Sequence, residues 1–196
     1  MFRDIPQSVE VTQGHLKALE AWRSAQGMEP KRQLRQVTQE TGKLLALLLA
    51  NCPKGDAVEL GTGAGYSALW LALACRAGGR RLVTFENDAA KLELARHCLD
   101  AAGVLDVVDL REGDALEGLK SLSSYSFCFL DADRALVPQA YELALAALPT
   151  GGLIVVDNAI CHAQDMAQFL FDLEVDPRVD MVIVPNETGL LLCRKV

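Results

Sequence analysis

Short apolar runs alternate along this chain with segments whose apolar residues recur at helical spacing. From about Asp56 onward the runs are DAVEL, RLVTFE, VVDLRE, YSFCFLD, GLIVVD, VDMVIVP and LLLCRKV. A stretch such as LIVV, apolar at every position, is typical of a strand buried on both faces, hence of a parallel sheet with helices on each side. The last two runs are separated only by NETG, which predicts an antiparallel hairpin. The pattern therefore predicts an α/β fold with a seven-stranded, mostly parallel sheet.

Two helical segments, roughly residues 8–27 and 38–51, come before the first strand-like run and have no strand of their own. They form an N-terminal helical cap that either covers the mouth of an active site, forms a dimer face or simply packs on the core. The length of 196 residues fits one α/β domain. We expect a single domain over 1–196, with N-terminal helices in 1–51 and the core in 52–196.

Charge and composition narrow the choice of partners and of location. There are 19 Lys and Arg against 26 Asp and Glu, a net charge of −7, which argues against a nucleic-acid binder. The longest apolar run, LLALLLA at 44–50, is too short to span a membrane, and the first 15 residues lack the apolar run of a signal peptide. The six cysteines include no CxxC pair, which favours reduced thiols in a cytoplasmic protein.

A glycine loop follows the first strand, at the turn into a helix. Gly61, Gly63 and Gly65 give the spacing GxGxG, whereas dinucleotide-binding proteins have GxGxxG. Glu86 ends the second strand, where a carboxylate can accept hydrogen bonds from both hydroxyls of a ribose. Glu59 adds a second negative charge, unfavourable for a pyrophosphate and favourable for a cationic ligand. The loop therefore favours S-adenosylmethionine (SAM), a sulfonium, over NAD, although a tight structural turn remains the alternative.

Three polar residues follow the fourth and fifth strands. Asp131 ends the fourth strand, and Asp157 and Asn158 end the fifth. Neighbouring strands lie about 4.8 Å apart, so these side chains can converge at the edge where ligands bind in open α/β sheets. Two adjacent carboxylates repel each other unless a cation lies between them, and hard oxygen ligands suit Mg²⁺, with Ca²⁺ or Mn²⁺ possible. The alternative is that these residues cap the helices that follow.

Eight segments follow one another along the chain in an order that matches a known family: VTQETGKLL, VELGTGAGYSALWLA, FENDAAKLELARHCLDAAG, REGDALEGL, FCFLDADR, GGLIVVDNAI, DPRVDMVIVP and GLLLCRKV. They resemble the cation-dependent class I O-methyltransferases, the group that contains catechol and caffeoyl-CoA O-methyltransferases. The likeness runs from about Val37 to Val196. It implies a Rossmann-like sheet with helices on both faces, transfer of a methyl group from SAM, and a small acceptor with catechol-like or vicinal-diol hydroxyls.

The resemblance also implies roles for individual positions. The segment around Val37 corresponds to a stretch that contacts the cofactor through its backbone. The positions that correspond to the loop around the methionine part of SAM are Glu59, Gly61, Thr62 and Ser67. Glu86 corresponds to the ribose contact, and Asp114 with Ala115 to the adenine side. The loop and the resemblance together assign these positions to the cofactor: Val37, Glu59, Gly61, Thr62, Gly63, Gly65, Ser67, Glu86, Asp114, Ala115 and Asp131. The implied metal ligands are Asp131, Asp157 and Asn158. A homodimer is expected from the family and from the apolar N-terminal helices.

Three departures from the family pattern concern the acceptor side. Arg134 stands where the family usually has lysine, and Arg134 cannot take up a proton because arginine stays protonated. His162 stands where the family usually has asparagine or glycine. The family often has a longer segment after the DNAI motif, whereas this chain passes almost directly into a predicted helix at 163–175. The acceptor pocket is therefore either more open or closed by another segment.

The residues predicted to act in the chemistry are Asp131, Arg134 and His162. Arg134 is expected to stabilise a developing phenolate, unless it merely pairs with Asp133 or Glu142. His162 is a candidate proton acceptor, unless it is only a solvent-exposed residue at a helix start. Two other functions remain open: a metal-independent methyltransferase with another acceptor, and a cofactor-binding protein that has lost catalysis.

Overall fold

The computed structural model describes residues 5–25, 27, 34–186 and 188–196. Helices and strands alternate from β1 to β6, and β7 follows β6 directly. The helices are α1 (Gln7–Ala25), α2 (Gln39–Asn51), α3 (Tyr66–Gly78), α4 (Ala89–Ala101), α5 (Ala115–Lys120), α6 (Val137–Ala147) and α7 (Ala167–Glu174). The strands are β1 (Ala57–Leu60), β2 (Leu82–Glu86), β3 (Val108–Glu112), β4 (Phe127–Leu130), β5 (Leu153–Val156), β6 (Val179–Val184) and β7 (Leu190–Lys195).

The seven strands form one sheet in the order β3-β2-β1-β4-β5-β7-β6. Strands β1 to β5 pair in parallel, and β7 pairs antiparallel with both β5 and β6. The predicted Rossmann-like sheet and its closing hairpin are therefore confirmed. The chain order reverses between β1 and β4, and a crevice for ligands opens beyond the carboxyl ends of strands at such a point.

Helices cover both faces of the sheet, as predicted. One apolar core lies between one face of the sheet and the four helices α1, α2, α3 and α4. It contains the fully buried Trp70 and Phe129. The other core joins α5, α6 and α7 to the opposite face and contains Cys128 and Leu130. Successive residues of β4 thus enter different cores, which explains why its sequence is apolar at every position.

The N-terminal helices begin and end close to their predicted bounds. Thr38 caps α2, because its hydroxyl accepts a hydrogen bond from the Thr41 amide at 3.1 Å. α2 packs along α3, and α1 packs against α3 and α4. Within the described residues, no helix combines the length and the apolar character that a membrane crossing requires. The division into 1–51 and 52–196 stays a prediction.

The helix predicted at 163–175 is shorter than expected. It begins at Ala167, because residues 159–166 form a run of turns after β5. These turns start at Asn158, whose backbone is left-handed with φ 69°. The prediction therefore placed the helix start four residues too early, and the turns lie where the chain leaves the carboxyl end of β5.

Candidate functional site

A cleft of about 570 Å³ opens at the carboxyl ends of the parallel strands. Its walls come from residues 34–38, from the glycine loop and from the residues that follow β2, β3, β4 and β5. We call residues 34–38 the strap. The cleft brings together eleven of the predicted site residues: Val37, Gly61, Gly63, Glu86, Asp114, Ala115, Asp131, Arg134, Asp157, Asn158 and His162.

The glycine loop is held by the neighbouring strand. The amides of Gly61 and Thr62 both donate to the carbonyl oxygen of Phe85 at 3.0 Å. Gly61, Gly63 and Gly65 have φ values of 93°, 54° and 92°, a region that strongly favours glycine. A Cβ atom on Gly61 would also collide with the carbonyl oxygen of Asp131. Glycine at position 61 therefore allows β1 and β4 to lie close together at the base of the cleft.

The Glu86 side chain ties β2 to the glycine loop. Its Oε2 atom accepts a hydrogen bond from the Gly63 amide at 2.8 Å. Its Oε1 atom accepts from the amides of Asn87 at 3.0 Å and Asp88 at 2.9 Å. Glu86 as a residue is only 9% exposed, yet it lines the cleft. Because each carboxylate oxygen can accept about two hydrogen bonds, Glu86 can also accept from a ligand hydroxyl.

Four predicted cofactor residues lie behind this wall and do not line the cleft in the part of the chain that is described: Glu59, Thr62, Gly65 and Ser67. Glu59 is fully buried, and burial raises its pKa to about 7 although hydrogen bonds from Ser67 and Thr84 oppose the rise. The Thr84 hydroxyl donates to Glu59 at 2.6 Å and lies 2.6 Å from the Thr62 hydroxyl. These contacts support the loop from beneath, and direct contact of these four residues with SAM stays a prediction.

Asp114 and Ala115 stand at the start of α5, on the cleft wall beyond β3. The Oδ1 atom of Asp114 accepts from the amides of Leu116 at 2.8 Å and Glu117 at 3.1 Å. Asp114 is therefore a helix cap as well as a cleft residue. Its predicted contact with the adenine side is compatible with this position.

Asp131 and Asp157 follow neighbouring parallel strands, with Leu130 paired to Val156. Burial and the negative charge of Asp157 raise the pKa of Asp131 to about 8, and burial also raises the pKa of Asp157. Both shifts reflect the cost of burying a carboxylate, and at Asp131 repulsion from Asp157 adds to that cost. Arg35, on the strap, opposes the rise at Asp131 only in part.

The oxygen atoms of Asp157 and Asn158 are oriented by neighbouring donors. Asp157 Oδ1 accepts from the Thr188 hydroxyl at 2.6 Å and from the Asn158 amide at 2.8 Å. The thiol of Cys161 donates to Asn158 Oδ1 at 3.3 Å.

The helix-cap interpretation of Asp131, Asp157 and Asn158 is wrong. Asp133 caps the 3₁₀ helix Arg134–Leu136, and turns follow Asn158. Among the described residues there is no group of three or more His, Cys, Asp or Glu side chains that could hold a metal ion. The predicted set contains two acids and one amide, so the metal site stays a prediction.

Arg134 and His162 meet at the rim of the cleft through a third residue. Arg134 Nε and His162 Nδ1 each lie 3.4 Å from Asp165 Oδ2. The alternative pairing of Arg134 with Asp133 or Glu142 is wrong. Asp133 accepts from the Ala135 amide, and Glu142 pairs with Arg178 at 2.7 Å. Asp165 thus brings together the two residues by which the acceptor side departs from the family pattern.

Comparison with known proteins identifies the family and agrees with the fold. A family model described as O-methyltransferase matches residues 8–196. The chain belongs to the O-methyltransferase family. A catechol O-methyltransferase from Niastella koreensis is 36% identical over 129 residues, which cover 63% of this chain and 58% of that protein. Caffeoyl-CoA O-methyltransferase 1 from Eucalyptus globulus is 28% identical over 203 residues, which cover 86% of this chain and 82% of that protein.

Solved structures agree with this assignment. The O-methyltransferase from Bacillus cereus in complex with SAH (S-adenosylhomocysteine, which is SAM without its methyl group) has a TM-score of 0.78 and 25% identity. The match covers 94% of this chain and 91% of that one. The O-methyltransferase TomG from Streptomyces achromogenes in complex with SAM has a TM-score of 0.78 and 25% identity, covering 92% and 89%. The family assignment and these likenesses support a SAM-dependent O-methyltransferase.

The sequence pattern did not indicate three residues that lie in or beside the cleft. Asp165 lies in the turns that were predicted to be helix, so its spacing carried no signal. Gln36 lies on the strap, and only the resemblance at Val37 pointed to that region. Thr188 could have been found, because the predicted hairpin returns the chain beside β5 and brings its turn next to Asp157.

Proposed function

We propose that this O-methyltransferase transfers the methyl group of SAM to a hydroxyl of a small catechol-like or vicinal-diol acceptor, with a divalent cation bound by Asp131, Asp157 and Asn158. The observation that carries the proposal is the pair of adjacent carboxylates, Asp131 and Asp157, in the same cleft as the glycine loop. Two neighbouring acids at the ends of β4 and β5 destabilise each other unless a cation is bound.

The cofactor half of the cleft suits a cationic nucleoside. SAM supplies a methyl carbon already activated by its sulfonium. Glu86 offers carboxylate oxygens to the ribose, and the loop from Gly61 to Gly65 allows close approach because it has no side chains at three positions. Asp131 lines the same cleft, and in its ionised form its negative charge would attract a cationic donor.

The acceptor half offers oxygen ligands of the kind that hard cations prefer. Asp131, Asp157 and Asn158 would hold Mg²⁺, or Ca²⁺ or Mn²⁺, and leave positions open for acceptor oxygens. A bound cation would lower the pKa of an acceptor hydroxyl and orient two adjacent oxygens. The acceptor is then aligned with the methyl carbon, which is the main requirement of a direct displacement.

Arg134 and His162 supply the remaining groups. The guanidinium of Arg134 stays protonated, so it stabilises the negative charge on the acceptor oxygen and cannot remove its proton. The imidazole of His162 takes the hydroxyl proton. The acceptor oxygen forms a bond to the methyl carbon, the bond from that carbon to sulfur breaks, and SAH leaves as a neutral thioether.

Isothermal titration and turnover test the metal requirement. Mg²⁺ should bind the wild-type protein, and Asp157→Asn should abolish that binding, whereas the control Asp180→Asn should bind like wild type. Asp180 is an exposed residue of β6 that lies 3.8 Å from Arg194. EDTA should abolish methylation of catechol, and added Mg²⁺ should restore it. Full turnover in EDTA would contradict the proposal and favour a metal-independent methyltransferase.

We also propose a homodimer in the cytoplasm. Val11 and Trp22 of α1 and Leu47 of α2 are 63%, 54% and 47% exposed, which supports an apolar contact through the N-terminal helices. All six cysteines are free, which supports a reducing compartment. Light scattering should give twice the chain mass, and Trp22→Glu should reduce it to one chain mass. A wild-type protein that stays monomeric at all concentrations would contradict the dimer.

A further inference from the structure

Helix α1 contributes no lining residue to the cleft within the described ranges, yet two of its side chains hold the strap. Lys17 Nζ donates to the carbonyl oxygen of Val37 at 2.8 Å. Glu20 Oε1 accepts from the amide of Gln36 at 2.6 Å. Lys17 and Glu20 also form an ion pair at 3.1 Å, one turn apart on the helix. Two consecutive strap residues are thus fixed through their backbones by one ion pair.

The strap lies over the cofactor half of the cleft. A Cβ atom built on Gly63 would be 4.0 Å from the carbonyl oxygen of Leu34. The ammonium of Lys17 lies 4.5 Å from the centre of the Tyr66 ring, and Tyr66 is the first residue of α3, directly after the glycine loop. Lys17 therefore contacts the strap and the end of the glycine loop at the same time.

Elsewhere the strap is held by the buried side chains of Leu34 and Val37 and by the cap that Thr38 forms on α2, and the backbone between them is strained. It forms neither helix nor strand, and Arg35 has the left-handed φ of 46°, which is costly for a residue other than glycine. Both polar atoms of the Gln36 side chain are buried and have no hydrogen-bond partner among the described residues. A segment with such local strain keeps its conformation only where the surrounding structure fixes it.

We propose that Lys17 and Glu20 are positioning residues for SAM, which hold the strap against the glycine loop so that the cofactor half of the cleft is formed before SAM binds. Neither residue needs to touch SAM. The inference rests on the proposed position of SAM in the cleft. It makes α1 part of the donor site and gives the N-terminal helical cap a function other than packing or dimerisation.

Titration calorimetry with SAH on the full chain tests the proposal. Glu20→Ala and Lys17→Met each remove a charge-assisted hydrogen bond to the strap, and each should weaken SAH binding about tenfold. Lys17→Arg, which can still donate to Val37, should restore most of the affinity. Glu10→Ala is the matched control, because Glu10 lies on the same helix and is exposed. Thermal melts identify the folded variants, and either Glu20→Ala or Lys17→Met alone is decisive.

Two further measurements separate positioning from a general loss of stability. Turnover should show a KM for SAM raised about tenfold with kcat, the KM of the acceptor and Mg²⁺ affinity unchanged. Hydrogen exchange of the amides at 36–38 should become faster in Glu20→Ala, with exchange in α4 unchanged. Wild-type affinity for SAH in a folded Glu20→Ala or Lys17→Met variant would overturn the proposal, as would an equal loss in Glu10→Ala. A wild-type protein that does not bind SAH would overturn the proposed function itself, and this inference with it.

Discussion

Replacing Glu86 by glutamine tests the ribose assignment with almost no change of shape. Glutamine keeps one acceptor oxygen, and its other end becomes an amide nitrogen that faces N–H donors. That nitrogen lies either against Gly63, 2.8 Å away in the wild type, or against Asn87 and Asp88, at 3.0 and 2.9 Å. The variant therefore loses the negative charge and weakens the anchor of the glycine loop.

The expected magnitude follows from the type of hydrogen bond. A hydrogen bond to a charged group contributes about 1.5–3 kcal/mol and one between neutral groups about 0.5–1.5 kcal/mol, so each ribose contact weakens by about 1 kcal/mol. Three of the about four acceptor positions of Glu86 are taken by backbone amides, which leaves one for a ribose hydroxyl. The total is therefore about 1 kcal/mol, which corresponds to a Kd for SAH about fivefold higher. Glu86 is 9% exposed, so solvent screens the change little.

Calorimetry with SAH in the presence of EDTA measures this change without any contribution from a metal. Glu112→Gln is the matched control, because Glu112 is the register partner of Glu86 on β3, is exposed, and does not line the cleft. The control should bind SAH like wild type. If Glu86→Gln also binds like wild type, Glu86 serves only to hold the loop and the ribose assignment is wrong.

Three further predictions concern single residues. The raised pKa of Glu59, about 7 against an ordinary 4.5, means that its stabilising contribution is complete below pH about 4.5 and is lost as the pH rises through 7. Between pH 4 and 9 the free energy of unfolding should therefore fall by about 3 kcal/mol more in wild type than in Glu59→Gln, as measured by chemical denaturation without SAM. Parallel pH profiles of the two proteins would refute this. Arg134→Lys should raise the rate, most clearly at alkaline pH, and Arg134→Ala should lower it with SAH affinity unchanged; identical pH–rate profiles for both variants and wild type would exclude Arg134 from the chemistry. Asp165→Asn should lower kcat about tenfold without changing SAH affinity, because Arg134 and His162 lose their common partner, and an unchanged kcat would show that this pairing is irrelevant.

Much of the site could be predicted because it depends on local sequence at strand ends. Glu86, Asp131 and Asp157 each directly follow or end an apolar run, and parallel strands bring their carboxyl ends to one edge of the sheet. The alternation of apolar runs and helical segments indicates which strands are parallel, and the short hairpin turn marks the antiparallel pair. The carboxyl ends of the parallel strands then define the edge where the site lies. No knowledge of distant contacts was needed for these positions.

Other parts of the site depend on contacts between distant segments, which a sequence pattern does not encode. Lys17 meets Val37 across 20 residues, and Arg134 meets Asp165 across a strand and a set of turns. The position of Glu59 was correctly placed on β1, but its complete burial depends on which face of the strand α3 covers. A strand that is apolar on both sides gives no sign of that difference.

The close approach of Gly61 to the carbonyl of Asp131 has a consequence for how this enzyme can diverge. The glycine loop, proposed to hold the methyl donor, and the segment at Asp131, proposed to hold the acceptor, touch through main-chain atoms, so their separation does not depend on any side chain in the cleft. If donor and acceptor bind as proposed, substitutions at rim positions such as 134, 162 and 165 can change which acceptor is bound while the path between donor and acceptor keeps its length. New acceptor preferences can therefore arise one residue at a time, whereas a substitution at position 61 would alter the reaction for every acceptor at once.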